Sequence, residues 1–161
     1  MPIAKDVKLG KNTKIYHPNL VNLYGCEIGD DCKIGAFVEI RKGVKIGNKV
    51  KIQAFAFIPE GVVIQDEVFV GPHVVFTNDL YPRATNKEGT LKSSGDWKKI
   101  FTLVRRKASI GANVTILCGI TIGEGALIGA GSTVTKNVRP WTVAAGNPLK
   151  VLYKIKKRAQ F

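Results

Sequence analysis

Between Ile28 and Phe76 a bulky apolar residue returns at every sixth position: Ile28, Ile34, Ile40, Ile46, Ile52, Ile58, Ile64, Val70 and Phe76. A second row follows four residues behind, at Cys32, Val38, Val44, Val50, Ala56, Val62, Val68, Val74 and Leu80. Its members are mostly small or β-branched, as a narrow interior demands. A period of six matches no single face of an α-helix, whose turn is about 3.6 residues. It suits a two-fold-pleated strand followed by a corner, repeated at fixed length. Several such sides make one coil of a solenoid, and stacked coils pair their strands in parallel. An ordinary β-sandwich has no reason to hold one period for so long. Glycine often stands just after the first-row residue (Gly29, Gly35, Gly47, Gly71, Gly111, Gly123, Gly129), where a corner is expected to require positive φ.

The beat stops at TNDLYPRA and resumes at Ile110, with Val114, Ile120, Ala126, Ser132 and Val138 in the second row. The interval from Pro82 to Ser109 is rich in Gly, Ser, Asn and Lys, and carries Trp97 as a buried-type residue. It reads as an external loop (82–109) in a single domain spanning 1–161, and loops of that length tend to be functional. Upstream the beat falls on Leu9, Ile15 and Val21, shifted by one residue within VNLYGCE. Downstream, PWTVAAGNPLK leaves the repeat. Val151, Leu152 and Ile155 then fall at helical spacing, which predicts a short α-helix within 148–161 capping the open end.

Charge and cysteine content narrow the classes. The net charge of +13 is large, but Lys and Arg are spread along the chain. A nucleic-acid groove would favour a denser stripe with interleaved aromatics, so small phosphorylated ligands fit better and no nucleic-acid partner is expected. No apolar run approaches the roughly 18 residues of a membrane span. MPIAKDVKLGKN lacks the apolar core of a secretory signal, so a cytoplasmic protein without membrane attachment is expected. Cys26, Cys32 and Cys118 form neither a CxxC pair nor a Cys/His cluster; they read as small buried hydrophobes, and no metal site is expected.

The segments IGDDCK, IGAFVE, IGNKVK, IGANVT, IGEGAL and IGAGST fit the pattern [LIV]-[GAED]-x-x-[STAV]-x. On them the chain resembles the hexapeptide-repeat acyltransferases. The resemblance implies an all-β fold, a left-handed parallel β-helix solenoid with three hexapeptides per coil. It also implies a homotrimer with active sites between subunits, and an acyl-coenzyme A donor. Three six-residue sides give an 18-residue vertical repeat, so Lys42, Glu60 and Asn78 should share one corner column, about 4.8 Å apart per coil, with Asp79 alongside.

The stretch EGVVIQDEVFVGPHVVFTNDLYPRA narrows the resemblance to transferases that N-acetylate 3-amino sugars carried on a nucleoside diphosphate. Their E-G, N-D and Y-P-R-A elements fall on Glu60, Asn78, Asp79, Tyr81, Pro82, Arg83 and Ala84, whereas AGNP at Ala145–Pro148 is widespread in the superfamily. The implied reaction moves acetyl from acetyl-CoA to the 3-amino group of a UDP- or dTDP-linked amino-dideoxy sugar, for surface polysaccharides such as lipopolysaccharide. Asn78 and Asp79 would anchor the amine, with Glu60 assisting from the coil below. A sugar amine is mostly ammonium at neutral pH and must lose a proton to attack. A carboxylate can hold it and accept that proton, directly or through water, while positioning supplies the larger share of the rate. Lys42, Tyr81 and Arg83 are the candidate substrate contacts. Gly111, Ala112, Gly129 and Ala130 would contact the pantetheine of the donor, and Lys136, Arg139 and Lys150 its phosphates.

His73 is the competing base. Many hexapeptide O-acetyltransferases use a histidine, yet this one falls one side of the triangle before Asn78. His17, near the N-terminal cap, reads as structural. The γ-type carbonic anhydrases share the solenoid but need three histidines around zinc, and this chain has only His17 and His73. A non-catalytic scaffold would have no use for the NDLYPRA corner or the long insertion.

Overall fold

A computed structural model describes residues 2–155. The chain winds through six coils of three short strands each. β1–β3 (Lys8–Leu9, Lys14–Ile15, Asn22–Leu23) make the first coil, and β4–β6 (Glu27–Ile28, Lys33–Ile34, Glu39–Ile40) the second. β7–β9 (Lys45–Ile46, Lys51–Ile52, Phe57–Ile58) and β10–β12 (Val62–Ile64, Phe69–Val70, Val75–Phe76) follow. β13–β15 (Thr102–Val104, Ser109–Ile110, Thr115–Ile116) and β16–β18 (Thr121–Ile122, Leu127–Ile128, Thr133–Val134) complete the six. β19 (Thr142–Ala145) and β20 (Lys150–Lys154) close the described chain.

Every third strand belongs to the same sheet, which gives three parallel sheets as the faces of the solenoid. The first holds β1, β4, β7, β10, β13 and β16; the second runs from β2 to β17 and adds β19 and β20; the third holds β3, β6, β9, β12, β15 and β18. We call the corner after each sheet by that sheet's number. Register follows the 18-residue repeat through the regular coils: Glu39 lies opposite Phe57, and Phe57 opposite Val75. First-row residues from Ile28 to Phe76 are all buried, as are second-row residues from Cys32 to Val74, so the two rows together are the core.

The corners are built differently from the expectation. The glycines directly after the first row have ordinary φ; the left-handed residue is two positions later. There stand Asp31, Phe37, Lys49, Phe55, Glu67, His73 and Asn113, with φ between 56° and 63°, and at other corners Gly43, Gly61, Gly119, Gly125 and Gly131. The expected glycines serve a second purpose, close approach between coils. A Cβ on Gly71 would lie 2.7 Å from the carbonyl carbon of Gly111, and one on Gly111 would lie 2.6 Å from the Ala130 nitrogen.

Four further details depart from the sequence reading. In the first coil the apolar row passes through Leu23, which pairs with Ile40, because a 3-10 turn at Pro18–Leu20 lengthens the preceding corner. Val21 falls into the second row, and the Asn22 N–H donates to Val38 O. The repeat resumes at β13, before Ile110, so Thr102–Val104 belongs to the solenoid and the insertion is shorter than 82–109. Leu80, counted in the second row, is 45% exposed because the chain has already left the coil. The expected C-terminal helix is, over Lys150–Lys154, a strand antiparallel to β19. The backbone hydrogen bonds offered by β19 outweigh the helical spacing of three apolar residues, and Val151, Leu152 and Tyr153 stay exposed. The remainder of that predicted helix, 156–161, lies outside the described residues.

Burial pushes the Cys26 thiol up from 9.0 to about 11. The unfolded chain therefore ionises this thiol first, and its contribution to stability is lost as pH rises from 9 towards 11.

Thr102 Oγ1 is buried and finds no hydrogen-bond partner among the described residues, in the row where the coils on either side place Val62 and Ile120. Thr102→Val should therefore raise stability by about 1 kcal/mol or more in a urea melt, since an orphaned hydroxyl costs roughly 1–3 kcal/mol. Gly71→Ala should lower it by about 1–3 kcal/mol, because its methyl meets the backbone of the next coil. Gly95→Ala, which meets nothing within 4 Å, should stay within about 0.5 kcal/mol of the parent.

Candidate functional site

At the third corner the left-handed place is held by Gly43 and Gly61 in successive coils and by Gly119 two coils further on. In the intervening coil that place falls to Asp79, which is not left-handed, and there the chain runs outward instead of turning. It returns to the same corner. The Ile100 N–H donates to Asn78 O (3.1 Å), and the Thr102 N–H to Gly61 O (3.0 Å). Gly61 suits this place by its φ (+92°), and a Cβ there would crowd the Lys99 side chain at 3.1 Å. The inserted loop leaves and re-enters one edge of the solenoid and walls it.

Asn78 stands one coil above Glu60, as the 18-residue register predicts, and its Nδ2 donates to the Glu60 backbone carbonyl (3.2 Å). A carbonyl only accepts, so the amide orientation is settled and Asn78 Oδ1 remains as an acceptor. Asp79 Oδ1 accepts the Tyr81 N–H (2.9 Å), which bends the outgoing chain; Oδ2 meets no partner among the described residues. The Glu60 carboxylate is engaged by Lys99 of the returning loop (2.8 Å). A cleft joins Glu60, Asn78, Asp79 and Arg41 on the solenoid edge with Pro82, Arg83, Ala84, Lys92, Ser93, Ser94 and Trp97 of the loop. The loop holds its shape through an antiparallel bridge between Thr85 and Leu91, a Lys92 N–H to Ala84 O bond (2.9 Å), and Ser93 donating to Asp96.

Among the proposed substrate contacts, Arg83 lines this cleft. Tyr81 is 79% exposed and does not line it. Lys42 keeps its column position but lies outside the cleft; its stem runs beside Gly25 of the coil below. Arg41, the residue before it, takes the place in the cleft instead. Its Nε bonds Glu39 Oε1 at 2.7 Å and its guanidinium carbon lies 4.9 Å above the Phe57 ring. The hydrogen bond to Glu39, two residues earlier on the same face, pushes the guanidinium's pKa further up. Arg41, Lys92, the two serines and Lys99 were not picked out from the sequence. For Arg41 a signal existed: Glu39 and Arg41 alternate on one outward face, with Phe57 18 positions beyond Glu39.

His73 lies on the second corner, one corner before Asn78, as expected. Its ring stacks on Phe55 (4.6 Å between centroids), and Phe55 stacks on Phe37 (4.7 Å). Gly111, Ala112, Gly129 and Ala130 share that corner, four residues without side chains beyond Cβ, with Asn113 beside Ala112. The Asn113 N–H donates to Pro72 O, so this edge continues the column from His73. Of the expected phosphate contacts, Lys150 lies opposite Ala145, which stacks on Gly129 at this corner, whereas Lys136 follows the third corner's Asn78 column and Arg139 is on the first corner. Among the described residues no group of three or more His, Cys, Asp or Glu could hold a metal ion.

Comparison with known proteins agrees with this architecture. The repeat family described as bacterial transferase hexapeptide (six repeats) matches residues 43–78 and 101–136, and the hexapeptide repeat of succinyl-transferase matches 26–58. The chain belongs to the hexapeptide-repeat transferase family. A protein of Lysinibacillus sphaericus named as a macrolide acetyltransferase is 35% identical over 127 residues, 79% of this chain and 62% of that protein. A Staphylococcus aureus (strain COL) protein named as an acetyltransferase is 58% identical over 45 residues, 28% of this chain. The match spans only 23% of the length of that S. aureus relative. Among solved structures, a mutant of AntD, an N-acyltransferase from Bacillus cereus in complex with dTDP and coenzyme A, superposes with a TM-score of 0.73 at 21% identity. That likeness of fold covers 94% of this chain and 85% of AntD.

The Glu60–Lys99 pair is partly exposed, so Lys99→Met should change unfolding free energy by less than about 1 kcal/mol. The same substitution should release the returning end of the loop. Limited digestion with proteinase K should then cut between residues 83 and 98 several-fold faster, at an order of magnitude set by local rather than global opening.

Proposed function

We propose that this protein is an acetyltransferase that moves acetyl from acetyl-CoA to the 3-amino group of a UDP- or dTDP-linked amino-dideoxy sugar. The observation that carries the reading is the orientation of Asn78. With one Nδ2 hydrogen on Glu60 O, the corner itself offers two acceptor oxygens to the cleft, Asn78 Oδ1 and Asp79 Oδ2. An amine or ammonium group, which brings several N–H donors, matches that pair. A nucleotide sugar also accounts for Arg83 and Lys92 on the opposite wall. The dTDP and coenzyme A bound by AntD, and the acetyltransferase names of the relatives, favour the same class of reactants.

In this mechanism Asn78 and Asp79 hold the amine nitrogen and fix its direction of attack. Glu60 contributes less charge than the family resemblance implies, since Lys99 already faces it. The Asp79 carboxylate favours the ammonium form, so it captures the substrate rather than lowering its pKa, and it offers Oδ2 as a proton acceptor directly or through water. Acetyl-CoA, when bound, supplies the acetyl group as a thioester. The edge of Gly111, Ala112, Gly129 and Ala130 suits its extended pantetheine, because these four residues carry nothing beyond Cβ. That edge and His73 are on the second corner, and the polar cleft is on the third. One chain does not join them, so we propose a homotrimer in which the second corner of one copy faces the third corner of the next. Lys136, Arg139 and Lys150, divided among different edges, would then serve the donor's phosphates from more than one direction. We assign the reaction to cytoplasmic synthesis of surface polysaccharide sugars, lipopolysaccharide included.

The test is an acetyltransferase assay on a panel of UDP- and dTDP-linked 3-amino sugars. Asp79→Asn and Asn78→Ala should each lower kcat/KM by about a hundredfold, the scale of a lost anchoring or proton-accepting group. His73→Ala should leave at least about a tenth of the activity, since a sugar amine needs less activation than a hydroxyl. Activity confined to free sugars or serine would sink the proposal, and abolition by His73→Ala on a hydroxyl acceptor would establish O-transfer instead.

A further inference from the structure

We propose that Arg41 is the anion-recognition residue of the acceptor cleft, gripping a pair of oxygens that the acceptor carries near its amine. The assignment rests on the reading of this cleft as the acceptor site. Those oxygens belong either to a carboxylate on the sugar ring or to the diphosphate that joins sugar and nucleotide.

The geometry around Arg41 is that of a guanidinium set in place before a ligand arrives. Glu39 and Arg41 flank buried Ile40 and so project from the same outer face. Glu39 Oε1 takes Nε at 2.7 Å, and the Phe57 ring lies under the guanidinium carbon at 4.9 Å. One N–H is thereby spent and the plane of the group is fixed. The four N–H bonds of Nη1 and Nη2 meet no acceptor among the described residues, and the side chain is 42% exposed. A planar fork of paired donors recognises carboxylate and phosphate oxygens bidentately, which a lysine ammonium cannot do.

The charges in the cleft point the same way. Glu60 is already matched by Lys99, and Asp79 is the carboxylate reserved for the amine. Arg83 and Lys92 add two more cations on the loop wall. A substrate bearing an ammonium alone would face more positive than negative charge. One bearing an amine beside an anionic group satisfies Asp79 and Arg41 together. Glu39 is then a positioning residue that acts through Arg41, and neighbouring Lys42 stays outside the cleft.

The test compares Arg41→Gln, Arg41→Lys and Glu39→Gln with the parent on two acceptors, nucleotide-linked 3-amino sugars with a C6 carboxylate or a C6 methyl group. Arg41→Gln should raise acceptor KM by about tenfold to a hundredfold, the scale of a charge-assisted pair, without changing KM for acetyl-CoA. Arg41→Lys should recover only part of that, Glu39→Gln should fall between, and all three should melt like the parent. A penalty on the carboxylated sugar alone identifies the carboxylate; an equal penalty on both identifies the diphosphate. Either result upholds the assignment. An unchanged acceptor KM in Arg41→Gln overturns it while leaving the acetyltransferase reading intact. If the parent acetylates no amine, calorimetry with inorganic pyrophosphate and with glucuronate decides. Binding that Arg41→Gln abolishes upholds an anion site in a protein of other function, and absent or unaltered binding overturns it.

Discussion

A backbone N–H on one coil finds its carbonyl on the next, as from Lys33 to Val50 (2.9 Å) or Lys51 to Val68 (3.0 Å), and the whole molecule depends on this coil-to-coil bonding. The strands are mostly two residues long, too short to be stable alone. They persist because each is bonded above and below, and because every coil returns to the same place after a fixed number of residues. Coil length is therefore the quantity under constraint. It forces like residues into columns: isoleucine over isoleucine inside, and outside whatever the corner carries. The cost is taken at the corners, where non-glycine residues such as Phe37 and Phe55 adopt a left-handed backbone that L-residues avoid by about 1–2 kcal/mol.

The column rule also makes the candidate site. A single chain segment cannot bring Arg41, Glu60 and Asn78 together, but coils stacked at a regular interval align them on one edge. Asp79 then breaks the corner at the place where its neighbours above and below carry Gly119 and Gly61. The interruption is tolerated because the loop's two ends are pinned to each other, Ile100 to Asn78, without disturbing the register of Val75 with Thr115. Structure and chemistry meet at one residue: the side chain that ends the turn is also the carboxylate that faces the cleft.

Much of this was legible in the sequence, and the remainder was hidden for identifiable reasons. The two apolar rows and the column of Glu60 and Asn78 follow from counting, because a solenoid converts distance along the chain into position in space. The corners did not follow, since glycine marks both positive φ and close approach, and here the expected glycines answer to the second. Leu23 and Val21 exchanged rows because a 3-10 turn changed the local count. Counting points to Lys42 and is silent on Arg41, because column position alone does not say which side of a corner a long side chain takes. The loop's contributions, Lys99 on Glu60 among them, were out of reach: they depend on a fold-back that no period describes. At the C-terminus, three apolar residues fit helical spacing equally well, and the available edge of β19 decided the matter.

β20 changes what the edge of the second sheet offers. A stack of parallel coils has no intrinsic stopping point, since each coil exposes the same hydrogen-bonding edge that the previous one offered to it. A second molecule could in principle continue the winding. β20 runs in the opposite sense across β19, so the edge it presents has the wrong polarity for another coil. Lys150 and Lys154 stand at its two ends and the three apolar side chains between them remain open. Reversal of chain direction, combined with flanking charge, makes this edge of the second sheet a poor template for further parallel winding.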